Sequence, residues 1–168
     1  MLLHLFRHGI AIDRDDPAAP PEADRFLTGK GRRRTRRAAQ GLARLDVSPE
    51  LIVSSPWRRA RETAEILRDR FDLEDEAVLA DEALLPLADP LRILEDLVHR
   101  DAEEVILVGH APHLDRLLDE LTDGAPLAPL TKAGAACVEL EDPSLRRGIL
   151  RWVLPNKALR RLGAGDAS

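Results

Sequence analysis

The chain has 168 residues, 44% hydrophobic and 33% charged, the proportions of one globular domain with a sizeable core and not of a disordered segment. A net charge of -5 argues against general nucleic-acid binding, and the single cysteine, Cys137, excludes an intrachain disulfide framework. No run approaches the roughly 18 apolar residues of a membrane span, and the opening apolar run is shorter than the roughly 7–15 residues of a secretory signal core, so the expectation is a cytoplasmic protein.

Leu2–Phe6 is an apolar run that reads as a buried strand and ends in Arg7-His8-Gly9. Asp13–Phe26 is a polar loop broken by Pro17, Pro20 and Pro21, of a length that borders a pocket. Thr28 is positioned to cap a helix over Gly31–Leu45. Leu51–Val53 reads as a short strand. Ser55-Pro56 then has the N-cap and N1 residues of a second helix, which carries Ala60, Ala64, Leu67 and Phe71 on one face. Ala77–Leu79 predicts a weak strand and Pro90–His99 a helix. Glu104–Val108 is the strongest strand signal. His110-Ala111-Pro112 opens a helix to about Leu121, with Gly124 as its stop. Ala136–Leu140 and Ile149–Leu154 predict two closing strands. Residues 1–157 read as one domain and 158–168 as a frayed tail, Gly/Ala-rich at its end. Regular alternation of this kind predicts an α/β fold, an α/β/α sandwich around a mostly parallel sheet.

In a parallel sheet the C-terminal strand ends share one edge, where ligands bind. The first strand delivers Arg7, His8 and Gly9 there. The second delivers Ser54 and Ser55, followed by Arg58, Arg59 and Arg61, and the fourth delivers Gly109 and His110. Cations in the first turn of a helix oppose its dipole, whereas an anion bound there reverses the effect. Arg58 and Arg61 have Glu62 and Glu65 as i,i+4 partners. Arg59 has no such acid, which makes it the better anion ligand.

Two histidines and several arginines without a carboxylate pair suit phosphoryl transfer. An imidazole nucleophile splits transfer and hydrolysis into two steps, and arginines can carry the charge without a metal or other cofactor. A metal reading is weaker. His4 and His8 lie roughly 13 Å apart along an extended strand, and no Cys or Asp cluster completes a ligand set around His110 and His113. His4, His99 and His113 read as structural or surface residues.

Arg7-His8-Gly9, the run from Ser54 to Ala64 and Gly109-His110 resemble, in order, the motifs of the histidine phosphatase superfamily, the phosphoglycerate mutase-like enzymes. Asp24–Gly31, Gly109–Leu114 and Thr131–Ala136 are similar to segments of its SixA-type phosphohistidine phosphatases, and the resemblance extends to about residue 154. It implies a phosphoglycerate mutase-like fold, with His8 the phosphorylated nucleophile. Arg7 and Arg59 bind phosphoryl oxygens, His110 donates to the transferring group, and Gly9 lets the backbone approach. Arg25 and Thr28 are possible supports for the site.

Many superfamily members protonate an alcohol leaving group with an acid after the third strand. Asp81 and Glu82 fall in that region, without the glycine-rich surroundings. An alkoxide needs such an acid, whereas neutral imidazole, with a pKa near ~6.5, leaves with little help. The expectation is a phosphohistidine phosphatase acting on a phosphohistidine-bearing protein partner, with neither nucleic acid nor membrane as partner. A phosphatase of small phosphorylated metabolites and a catalytically weak phosphoprotein-binding module are the alternatives. The basic run Arg32–Arg37 is either a solvated helix face or a rim that steers an acidic phosphoprotein.

Overall fold

The computed structural model describes residues 1–124, 128–142, 144 and 146–165. Among these, β1 (Leu2–Arg7), β2 (Leu51–Ser54), β3 (Val78–Ala80), β4 (Glu104–Gly109), β5 (Ala135–Glu139) and β6 (Ile149–Leu154) form one sheet in the order β3-β2-β4-β1-β5-β6. The first four in that order are mutually parallel, β5 runs antiparallel to β1, and β6 antiparallel to β5. The central strands β1 and β4 are covered on both faces, which is why β4 reads as an unbroken apolar run from Val105 to Val108 and β1 as one interrupted only by the buried His4.

Side chains alternate between two apolar layers. Leu3, Leu5, Val53, Val105 and Leu107 pack against α3 (Arg92–Leu97) and α4 (His113–Leu121). Phe6, Ile52, Ile106 and Val108 pack against α1 (Gly29–Ala43), α2 (Arg58–Phe71) and α5 (Asn156–Leu162). The result is a three-layer α/β/α sandwich around a mostly parallel sheet. No helix among the described residues is long and apolar enough to cross a membrane.

Thr28 caps α1 by accepting from the Gly31 N–H at 2.9 Å. The polar loop after β1 holds one 3-10 turn, Glu22–Asp24. Three expectations are corrected. Ser55 does not cap α2: its N–H still donates to Val108 O at 2.9 Å, so the chain stays tied to the sheet and the helix begins only at Arg58. Residues His110–Pro112 likewise precede α4, which begins at His113. The tail is not frayed over residues 158–162, which belong to α5. Leu159 is fully buried there, and Gly41 of α1 lets its carbonyl approach so closely that a Cβ on Gly41 would lie 1.9 Å from the oxygen. Residues 166–168 of that expected tail lie outside the described residues.

Candidate active site

The parallel register aligns Arg7 with Gly109 and Ser54 with Val108, so β1, β4 and β2 end at one edge. The next residues, His8, His110 and Ser55, are held there by His8 N–H to Gly109 O (3.0 Å) and by the Ser55 bond to Val108. The two imidazoles face each other with ring centroids 5.0 Å apart. They lie in a cleft of about 610 Å³.

His8 is buried and oriented from both nitrogens. Nδ1 lies 2.7 Å from Gly9 O, an acceptor only, so Nδ1 carries the proton and donates. Nε2 is therefore the lone-pair nitrogen, and it accepts from Arg59 Nε at 3.2 Å. Arg59 is itself 5% exposed and lies over the Trp57 ring. Its Nη1 donates to Glu22 O at 2.7 Å and its Nη2 to Glu22 Oε1 at 2.9 Å. Arg7 Nη1 donates to Leu130 O at 2.6 Å, while its buried Nε has no acceptor.

His110 Nε2 lies 2.8 Å from Ser55 Oγ, which also accepts from the Trp57 N–H at 3.4 Å. The pairing that satisfies both groups has the Ser55 hydroxyl donating to Nε2. The His110 proton then sits on Nδ1, which is buried without a partner.

Burial first, then the charges of His110, Arg59 and Arg7, push the His8 imidazolium well below its ordinary range, against the favourable Gly9 contact. His110 is pushed down to about 3 by burial and by Arg59, His113 and Arg7. Both rings are therefore neutral at pH 7. Burial lowers Arg59 to about 10, with Glu22 opposing, so the guanidinium keeps its charge. Burial raises the Glu22 carboxyl, but the hydrogen bond from Arg25 and the charges of Arg59 and Arg25 outweigh it and hold the group below its ordinary value.

Arg7, His8, Arg59 and His110 thus share one cleft. Arg25 joins them at its edge, donating from Nε to Ile12 O and from Nη1 to Glu22. Gly9 does not face the cleft. Its N–H donates to Thr63 Oγ1 at 3.0 Å and its carbonyl takes the His8 bond, so its backbone serves His8 and not an anion. The close approach it permits is to α1, where a Cβ would lie 2.3 Å from Thr35 Oγ1.

Thr28, Asp81 and Glu82 also lie outside the cleft lining. The Thr28 hydroxyl is used by α1. Asp81 Oδ1 accepts from Ala83 N–H to cap a turn, and Glu82 is exposed on that turn. Arg58 pairs with Glu62 at 3.0 Å, as its spacing predicts. Arg32, first of the basic run, reaches the same carboxylate at 2.8 Å. Arg61 forms no ion pair with Glu65; both border a surface groove with Arg68 and Asp75.

The residues that sequence reasoning passed over are Glu22, Trp57, Lys132, Asp13 and Arg14, all of which line the cleft. Ser55 was placed at the correct edge but given the wrong task. The local spacing of Glu22 points only to Arg25 at i,i+3, and its other partner, Arg59, is 37 residues away.

The sequence profile of the histidine phosphatase superfamily (branch 1) matches residues 3–84. The chain is 39% identical over 127 residues to an uncharacterized protein of Picosynechococcus, covering 74% of each chain. It is 28% identical over 156 residues to the phosphohistidine phosphatase SixA of Escherichia coli, covering 90% of this chain and 92% of that one. The solved structure of the protein histidine phosphatase SixA complexed with tungstate superposes with a TM-score of 0.83 at 27% identity, over 95% of this chain and 99% of that one.

Proposed function

Because the chain belongs to the histidine phosphatase superfamily, and so to a family of phosphatases, we propose that it hydrolyses phosphohistidine on a partner protein through a phosphorylated His8. The observation that carries the reading is the fixed lone pair of His8 Nε2, with Nδ1 tied to Gly9 O and Arg59 Nε 3.2 Å away.

Nε2 attacks phosphorus in line, and the bond from phosphorus to the substrate imidazole breaks. The leaving ring takes back the electron pair and departs neutral, having been protonated on its other nitrogen. Water then attacks the phosphoryl group on His8, releasing inorganic phosphate and restoring the lone pair. Throughout, the charge on the equatorial oxygens meets Arg59, the unsatisfied Nε of Arg7 and the unsatisfied Nδ1 of His110. Buried donors without acceptors are costly, and an oxyanion in the cleft supplies what they lack. The SixA structure with bound tungstate, a tetrahedral oxyanion, supports a site of this kind.

Leaving-group chemistry supports the substrate class. Of the two carboxylates in the cleft, Glu22 is held ionised by Arg25 and Arg59, and Asp13 Oδ1 accepts from the Asp15 N–H at the rim. A carboxylate held ionised, as Glu22 is, is not poised as the proton donor that an alkoxide requires, whereas imidazole does not require one.

A second reading, hydrolysis of small phosphate esters, is favoured by one observation. Glu22 Oε1 occupies the Arg59 Nη2 donor, so an arriving phosphoryl oxygen competes for that donor and frees a carboxylate inside the cleft. Phosphate release from a phosphorylated histidine-containing domain and from p-nitrophenyl phosphate separates the readings. Fast release from the domain, lost in His8→Ala, is expected. Turnover of the ester alone supports the second reading, and no His8-dependent turnover of either leaves a phosphoprotein-binding module.

A further inference from the structure

Leu87 is 96% exposed, far more than the other large exposed hydrophobic residues among those described, Val98, Ile149 and Leu162. It is also the one of these four that borders the cleft. Its exposure is built into a held loop. Arg116 of α4 donates from Nη2 to Pro86 O at 3.1 Å, and Leu85 and Ala88 close successive turns through Glu82 O and Leu85 O. The fully buried side chains of Ala83 and Leu84 anchor the loop to the core. A leucine held in water by a fixed loop at the mouth of a reaction cleft gains nothing from its own chain. A molecule that extends past the reacting phosphoryl group is placed to bury it.

We propose that Leu87 is a specificity-determining anchor for the protein that carries the phosphohistidine, burying its side chain against an apolar residue beside the modified histidine. The inference rests on the phosphohistidine reading of the same site and adds to it a recognition surface outside the reacting atoms. The neighbouring lining supports a protein over a metabolite. Pro86, Ala111 and Trp57 continue the apolar part of the cleft, while Arg14 and Lys132 supply cations beyond the arginines that meet the phosphoryl group or pair with Glu22. A small phosphorylated metabolite presents hydroxyls and anions, to which Leu87 offers nothing. A protein surface with an apolar side chain near its phosphohistidine and carboxylates around it complements both parts of the rim.

The test is steady-state kinetics of wild type, Leu87→Ser and Leu87→Met on a phosphorylated histidine-containing domain and on free phosphohistidine. Leu87 touches almost nothing in its own chain, so Leu87→Ser is expected to fold with unchanged thermal stability. Loss of one buried leucine contact is expected to lower kcat/KM on the domain, relative to free phosphohistidine, by roughly tenfold. That loss should lie in KM with kcat retained, and Leu87→Met should restore most of it. An unchanged ratio in Leu87→Ser, while wild type still turns over the domain, overturns the anchor and leaves the phosphohistidine reading standing. A dimer in wild type that dissociates in Leu87→Ser also overturns it, because a second copy then covers the leucine. No wild-type turnover of the domain, with turnover of p-nitrophenyl phosphate intact, overturns the phosphohistidine reading and the anchor with it.

Discussion

Arg59 Nε donates to His8 Nε2 across 3.2 Å, from a residue 51 positions further along the chain. One guanidinium thereby does three things. It contacts the Nε2 lone pair of His8, holds the 3-10 turn through Glu22 O, and shares its Nη2 with the Glu22 carboxylate. In the proposed reaction, a phosphoryl group entering the cleft competes for the donors of this fork.

Arg59→Lys keeps the charge and loses the fork, since one ammonium cannot reach His8, Glu22 O and Glu22 Oε1 together. We expect kcat to fall by roughly 100-fold, the scale of removing one preorganised transition-state donor, with the fold retained by circular dichroism. A loss below threefold would show that charge alone suffices at this position.

Glu22→Gln removes the carboxylate that competes for Arg59 Nη2. Inorganic phosphate is expected to inhibit the variant at severalfold lower concentration than wild type, because anion and carboxylate no longer contend for one donor. Turnover of a phosphohistidine domain should persist. If ester turnover falls at least tenfold while phosphohistidine turnover is spared, Glu22 is acting as the acid of the small-ester reading.

Stability is expected to fall with acid in a window set by the buried histidines. His4, His8, His110 and His113 are all depressed, in each case chiefly by burial. A depressed imidazole binds its proton more weakly in the folded state than in the unfolded one. Its contribution is therefore fully present above about 6.5 and is lost as pH falls toward the folded value. For His110, down to about 3 in the fold, the slope is about 1.4 kcal/mol per pH unit between those limits. Urea unfolding at pH 7.5 and 5.5 checks this: the midpoint should drop at the lower pH, and a flat profile would contradict the buried-neutral assignment. Catalysis should show no acid limb at 6.5 from His8, since His8 stays neutral well below that pH.

Gly9→Ala should destabilise by about 1–3 kcal/mol, the usual cost of overpacking, because its Cβ would meet Thr35 Oγ1 at 2.3 Å. Thr35 is fully buried and its hydroxyl has no partner. Thr35→Ala is therefore mild alone and should recover most of the loss when combined with Gly9→Ala. Additive melting-temperature changes in the double variant would rule out this contact as the cause.

Much of the architecture and part of the site are readable locally. The predominantly apolar runs at β1 and β4 follow from burial on both faces, and their polar ends lie where Arg7, His8 and His110 are found. Arg59 differs from Arg58 in having no acid at i,i+4, where Arg58 has Glu62, although Glu62 also stands at i,i+3 from Arg59. These inferences use periodicity and nearest neighbours, which the order of residues carries by itself.

Tertiary structure decided the rest, because those contacts join segments whose separation no local pattern encodes. Glu22 reaches Arg59 only once the loop after β1 folds over the start of α2. Ser55, expected to cap a helix, serves His110 because the parallel register sets β2 beside β4. The segment after Lys157 becomes α5 because Gly41 leaves space for the Leu159 carbonyl. Which nitrogen of His8 bears the proton is settled by the Gly9 carbonyl beside it. The sequence by itself determined the types of element and the residues delivered to the sheet edge. Packing determined which polar groups meet there, since a hydrogen bond depends on distance and direction in space and not on position along the chain.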